Sequence, residues 1–352
     1  MTALADLLLA RIAQHGPISI ASYMADALMH PDHGYYATRD PFGAAGDFIT
    51  APEISQMFGE LIGLSLAQAW LDQGAPNPVT LAELGPGRGT LMADILRATA
   101  GVQGFHTALR VHFVETSAHL RRLQAARVPQ AVWHDGIDSL PDAPLLLVAN
   151  EFFDALPIRQ FVRQGDGWRE RMVGAQNGQL VIGLSAAAPL AQINHRLGDT
   201  QDGDLVEYCP ALPGIVGAIG DRIASYGGAA LVIDYGDWQS LGDTFQALSG
   251  HSAVDPLAAP GMADLTAHVD FAAIAAAAGP ARFSKVVTQG VFLERLGITA
   301  RAQTLAQRLT GDARAAHVAA HRRLTHPAEM GDLFKVIALY PATATPPPGL
   351  DP

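Results

Sequence analysis

Glu83-Leu84-Gly85-Pro86-Gly87-Arg88-Gly89-Thr90 decides how this chain is read. The apolar run Val79-Thr80-Leu81-Ala82-Glu83-Leu84 leads into it and predicts a buried parallel strand. Behind it, Leu91, Ile95 and Leu96 are spaced for one face of a helix. Strand, glycine-rich turn and helix make a nucleotide-binding elbow, where glycines allow close backbone approach and positive φ. A bare glycine turn often serves only to turn, but two residues sharpen this one. Glu83 lies two positions before the first glycine, inside an otherwise apolar strand. A carboxylate there suits a cationic ligand and repels a pyrophosphate. The dinucleotide pattern also asks for Gly or Ala at position 90, where this chain has Thr90.

A donor carrying an amino group and a sulfonium, S-adenosylmethionine, fits this loop better than a dinucleotide does. Glu83, Gly85, Pro86, Gly87 and Gly89 are its candidate contacts.

Outward from the loop the rhythm is strand, helix, strand. Val111-His112-Phe113-Val114 ends in Glu115, Ala131-Val132-Trp133 ends at His134-Asp135-Gly136, and Leu145-Leu146-Leu147-Val148-Ala149 ends at Asn150-Glu151. Ala229-Ala230-Leu231-Val232-Ile233 follows a helix over 212–225, and the segments around Phe283–Val287 and Phe334–Leu339 suggest a closing antiparallel pair. Such alternation predicts an α/β fold, a parallel sheet with ligands at the carboxyl ends of its strands. Residues 158–210 break the rhythm: Phe161, Val162, Trp168, Met172 and Val173 alternate with Arg163, Arg169, Glu170 and Arg171. That pattern predicts inserted antiparallel hairpins. The expected organisation is an N-terminal helical region over 1–78, a main domain over 79–340 with its insert, and a disordered proline-rich tail over 341–352. Thr50 and Glu53 have capping-box spacing before a helix bearing Ile54, Met57, Phe58, Leu61 and Ile62. Residues 237–263 read as a loop and 299–323 as one helix.

Composition narrows the function. A net charge of −11 disfavours nucleic acid as a partner, since non-specific binding relies on basic surface. Cys209 is the only cysteine, so neither an internal disulfide framework nor a cysteine-based metal site is available. Thirteen histidines show no metal-ligand spacing, and no metal is expected. No signal peptide and no apolar run long enough for a bilayer are evident, which predicts a cytoplasmic protein without a membrane span.

Strand ends supply the chemistry. Glu115 can accept both ribose hydroxyls of a nucleoside, or serve as a charge at the following helix N-terminus. Asp135 can meet an adenine amino group, or belong to an ordinary Asp-Gly turn. Asn150 and Glu151 fall beside the glycine loop. Glu151 and Asp154, three apart, share a face if a helix starts here, and paired carboxylates can grip a guanidinium. In Asp264-Leu265-Thr266-Ala267-His268-Val269-Asp270, His268 can be a base, a substrate contact or a satisfied loop histidine. His251 is a weaker candidate.

Six motifs in order complete the picture: Gly46-Asp47-Phe48-Ile49-Thr50-Ala51-Pro52-Glu53, the 83–90 loop, 150–157, 232–236, 264–271 and His326-Pro327-Ala328-Glu329-Met330-Gly331. Together they resemble the MidA-like class I methyltransferases over roughly residues 15–340. The resemblance implies a Rossmann-like, seven-stranded fold, S-adenosylmethionine as donor, and arginine methylation of a protein substrate, a subunit of respiratory complex I. It implies that Glu83, Gly85, Gly87, Gly89 and Glu115 hold the donor while Gly46, Asp47, Phe48 and Thr50 close over it. Ser249-Gly250 precede His251 where relatives often carry a bulkier or basic residue, which weakens any role for His251.

Overall fold

Six residues, Val79–Leu84, are all buried, as a strand covered on both faces requires. This strand pairs in parallel with Leu109–Val114 on one side and Leu145–Asn150 on the other. The sheet path runs Arg282–Phe283, Phe334–Tyr340, Gly228–Asp237, Leu145–Asn150, Val79–Leu84, Leu109–Val114, Val132–His134. Phe334–Tyr340 is antiparallel to both its neighbours on this path, which is the closing pair expected from sequence. The first three strands of the path in chain order run outward from Val79–Leu84 in one direction, and the next two run the other way. The reversal opens a crevice between Val79–Leu84 and Leu145–Asn150, at the carboxyl ends where open α/β sheets bind ligands. Among the described residues the sheet counts nine strands rather than seven, because short strands such as Val287–Thr288 pair off the path.

The structure, a computed structural model, describes residues 2–38 and 50–352. It divides into two compact units whose boundaries differ from those expected. The larger comprises Ile49–Phe153, Pro213–Gly236 and Phe271–Pro352. The other comprises Met1–Phe48, Asp154–Leu212 and Asp237–Asp270. The region 1–78 is therefore not one body. Met57, Phe58, Leu61 and Ile62 join the sheet's apolar core with Leu81, Val111, Phe113 and Val148. Leu4, Leu8, Ile12, Tyr23 and Met24 pack instead with Ile158, Val173 and Leu265. In that second unit Gly167–Gln176 pairs with Arg159–Gln164, Gln179–Leu184 and Ile18–Ser19, all antiparallel. The hairpins of 158–210 thus gain a strand from the N-terminal region. Residues 237–263 are more than a loop: Gln246–Ser249 pairs with both Ser252–Val254 and Asp264–Thr266.

Three further expectations are corrected. Thr50 makes no side-chain cap bond; Ser55 breaks the helix and caps Gln56–Asp72 by accepting from Met57 N–H at 3.3 Å. Glu53 accepts instead from the Thr90 hydroxyl. The helix over 299–323 is two, Ile298–Ala306 and Gly311–Thr325. The tail is not disordered. Leu350 is buried in the core of the larger unit, Pro348 carbonyl accepts from Ser65 Oγ at 2.8 Å, and Asp351 carbonyl accepts from Lys285 N–H at 2.9 Å. Proline lowers the conformational freedom the tail must lose to dock. Among the described residues no helix is long and apolar enough to cross a membrane.

The docked tail gives a first test. Deleting residues 341–352 uncovers the site of Leu350, whose burial alone contributes about 1.5–3 kcal/mol. Chemical denaturation should show a loss of at least that size; an unchanged unfolding midpoint would mean the tail contributes nothing.

Candidate functional site

Gly85, Gly87 and Gly89 have φ of +58°, +51° and +76°. All three lie in the left-handed region that L side chains avoid, so the loop requires glycine at each. At Gly85 a Cβ would also stand 3.0 Å from the Phe152 ring. The turn closes through Gly89 N–H to Pro86 O at 2.7 Å, and Gly85 N–H donates to Val114 O at 3.0 Å. Gly89 then caps the helix Thr90–Thr99.

Glu83 is 3% exposed. Burial pushes its carboxyl up to about 8, partly offset by a bond from Met92 N–H in the first turn of that helix. Its Oε2 has no hydrogen-bond partner among the described residues. Asn150, across the crevice at the end of the neighbouring strand, donates through Nδ2 to Glu151 Oε1 at 3.1 Å. Its buried Oδ1 likewise has no partner among the described residues. Two buried acceptor atoms at adjoining strand ends call for a ligand rich in donors. The α-ammonium of S-adenosylmethionine has three, and its positive charge suits a carboxylate held in low dielectric. The residues present therefore fit this cofactor.

Glu115 serves the helix behind it. Oε1 accepts from Ser117 N–H at 2.7 Å and Oε2 from Gln124 Nε2 at 3.2 Å, while Ser117 Oγ caps the same helix at Leu120 N–H. Burial is the largest influence on this carboxyl and raises it. A carboxylate oxygen accepts more than one bond, so the helix role leaves capacity for a ribose. Asp135 is exposed and pairs with Arg121 at 2.5 Å; Arg121 also donates to Glu115 O from Nε at 2.7 Å. Thr50 is buried just before the helix Ala51–Ile54. Gly46, Asp47 and Phe48 lie outside the described residues.

No helix follows Asn150. Glu151 takes φ +50°, which ends the strand in a turn and removes the basis for placing Glu151 and Asp154 on one helical face. The turn is fastened by Asp234, fully buried, whose Oδ2 accepts from Phe152 N–H at 3.2 Å and Phe153 N–H at 3.0 Å. Glu151 Oε1 also accepts from Ala51 N–H at 3.1 Å. Asp154 is counted in the other unit, where it is buried and its carbonyl accepts from Ala267 N–H at 3.0 Å. His268 follows directly, its N–H donating to Thr244 Oγ1 at 2.8 Å. His251 lies in the hairpin turn between Ser249 and Ser252 with φ +61°.

Two supports were not singled out from sequence. Asp234 was visible as an acid closing an apolar run. Gln124, fully buried, carried no such signal: it donates to Gly87 O at 2.8 Å and to Glu115, and accepts from Trp133 Nε1 at 2.8 Å.

Both buried groups are testable. Gln124→Leu leaves three polar partners unsatisfied, at about 1–3 kcal/mol each. Calorimetry should show a lower Tm together with weaker donor binding; a variant as stable as the parent would remove Gln124 from the loop's support. Glu83 has a raised pKa, so its contribution to stability is fully present below its ordinary 4.5 and is lost as pH rises through about 8. A cationic donor stabilises the ionised form, so binding at pH 7 should release close to one proton. Titration in buffers of different ionisation enthalpy measures this. Identical proton release by Glu83→Gln would exclude Glu83 as its source.

Comparison with known proteins agrees with this geometry. Residues 61–287 match the model of a family described as S-adenosyl-L-methionine-dependent methyltransferases. The Drosophila melanogaster protein named protein arginine methyltransferase NDUFAF7 homolog, mitochondrial, is 37% identical over 373 residues, 96% of this chain and 85% of that protein. The Homo sapiens protein arginine methyltransferase NDUFAF7, mitochondrial, is 36% identical over 367 residues, 95% of this chain and 82% of that protein. A crystal structure from Burkholderia thailandensis, bound to S-adenosyl-homocysteine, is 31% identical with a TM-score of 0.78, covering 99% of this chain and 93% of that one. The expected cytoplasmic location is corrected by the curated relatives, which are named as mitochondrial proteins. By family model, by relatives and by the cradle at Glu83 and Asn150, the chain belongs to the S-adenosyl-L-methionine-dependent methyltransferases, with S-adenosylmethionine as its cofactor.

Proposed function

We propose that this enzyme methylates arginine in a protein substrate, and that the substrate is a subunit of respiratory complex I. The observation carrying the arginine reading is identity of 36–37% across nearly the whole chain to proteins named as arginine methyltransferases. The complex I subunit follows from the family resemblance of the six ordered motifs. The net charge of −11 suits an arginine-bearing partner.

S-adenosylmethionine, when bound, supplies an electrophilic methyl group on a sulfonium. The chain's own residues hold and orient. Glu83 and Asn150 offer acceptors to the amino-acid end of the donor, Glu115 to the ribose and Asp135 to the adenine. Glu151 serves the acceptor side. An arginine side chain has a pKa above about 12 and does not readily give up its proton alone, so a carboxylate must orient the attacking nitrogen. Were that nitrogen to bond to the methyl carbon, the carbon–sulfur bond would break to leave S-adenosyl-homocysteine, and the nitrogen's proton would pass to the orienting carboxylate or to solvent. Most of the rate comes from positioning the two reactants at about 3–3.5 Å in a dry site.

Methyl label from S-adenosylmethionine, followed into extracts of a strain lacking the enzyme and then into hydrolysed amino acids, tests this reading. Label in methylarginine is expected. Donor binding without any label transfer would make the protein a donor-binding assembly factor, and label in another residue would change the substrate. Glu151→Gln keeps size and one acceptor oxygen but removes charge. It should lower methyl transfer by about 10²–10⁴-fold at saturating donor while leaving donor affinity nearly unchanged. A lowered Tm with unchanged turnover would leave Glu151 a purely structural residue holding Ala51.

A further inference from the structure

Ala51–Ile54 is a single helical turn, and one turn fixes more backbone freedom than its own bonds return. Glu53 N–H and Ile54 N–H donate to Thr50 O at 2.9 Å and 3.2 Å. Ala51 is fully buried and Ile54 packs against the same core, which seats the turn. Side chains fix its direction from two sides. At its start, Ala51 N–H donates to Glu151 Oε1 at 3.1 Å. Toward its end, Glu53 Oε1 accepts from the Thr90 hydroxyl. The Thr90 oxygen accepts in turn from Arg127 Nη1, which lies 3.8 Å from Glu53 Oε1. Thr90 opens the helix behind the glycine loop, and Arg127 closes the helix that carries Gln124. All of these residues belong to the larger unit. Position 90, where the dinucleotide pattern asks for Gly or Ala, thus holds a hydroxyl in use as donor and acceptor together.

We propose that Glu53 and Thr90 are positioning residues that couple the glycine loop to the acceptor-side carboxylate, an assignment that rests on Glu151 serving that side. The loop ends at Gly89, so the Thr90 hydroxyl is placed by it. The bond from that hydroxyl to Glu53 fixes the turn Ala51–Ile54, and the turn presents Ala51 N–H to one oxygen of Glu151. A bond to an ionised acceptor is roughly twice as strong as a neutral one, so this N–H sets the carboxylate's orientation. The guanidinium of Arg127 and the carboxylate of Glu53 are 42% and 21% exposed, and an ion pair open to water contributes little. The Thr90 hydroxyl is therefore the joint. Positioning is sensitive to such joints, since a misplacement of about 1 Å can cost on the order of 10²-fold in rate. The loss should fall on turnover and spare donor affinity, because Gln124 holds the glycine loop through a separate bond to Gly87 O at 2.8 Å.

The test compares Thr90→Val, which keeps shape and removes the hydroxyl, with Thr90→Ser, which restores it, in the full-length protein. Three quantities are read: hydrogen exchange of the Ala51 amide, affinity for S-adenosyl-homocysteine by calorimetry, and methyl transfer into the deletion-strain extract at saturating donor. Thr90→Val should speed exchange at Ala51 by about tenfold, the opening expected when one anchoring bond is lost. It should lower methyl transfer by about tenfold or more and keep parental affinity for S-adenosyl-homocysteine. Thr90→Ser should return exchange and transfer to near parental values, which a purely steric effect at this position would not do. If Thr90→Val fails to fold, Glu53→Ala carries the test with the same expectations. Parental exchange at Ala51 overturns the coupling, and so does transfer that falls only in step with donor affinity. Faster exchange with parental transfer also overturns it if Glu151→Gln is impaired. The acceptor-side reading of Glu151 fails separately, if Thr90→Val speeds exchange while Glu151→Gln and Thr90→Val both transfer methyl groups as the parent does.

Discussion

Glu83 is a carboxylate in a place where a carboxylate is costly. It sits in a strand buried on both faces, with one oxygen taken by Met92 N–H and the other without a partner among the described residues. Leaving a buried acceptor unsatisfied costs on the order of 1–3 kcal/mol, more when charged. The free protein reduces that cost by keeping the group largely protonated near neutrality. A cation arriving at Oε2 removes the cost altogether. The energetic gap between the free and filled states is thus built into one side chain, and the glycine loop exists to bring a ligand within its reach.

Such a group is useful only if its surroundings do not collapse onto it. Gln124 ties the glycine loop, Glu115 and the third strand of the chain-order series together with three bonds. Asp234 holds two consecutive N–H groups of the turn after Asn150. Glu151 keeps a left-handed backbone that costs a non-glycine residue roughly 1–2 kcal/mol. Strain of that kind persists where neighbours over-determine it, and here Asp234, Asn150 and Ala51 do so. The rigid frame fixes the places of Glu83 Oε2 and Asn150 Oδ1, both buried without a hydrogen-bond partner among the described residues.

The sheet was legible because parallel strands buried on both faces leave continuous apolar runs of strand length, and each ran to a polar residue at its end. The glycine loop was legible because three positive φ angles admit little else. Other features had no local signature. The Thr50–Glu53 pattern has the right spacing, yet Ser55 one turn later supplies the cap, and Glu53 turns to Thr90, 37 positions on. Leu350 reads as part of a proline-rich tail until the core it enters is known. The split of 1–78 between two units depends on which apolar face meets which core, a tertiary fact that periodicity does not carry. Tyr36 and Asp264, 228 positions apart, became partners only in the fold.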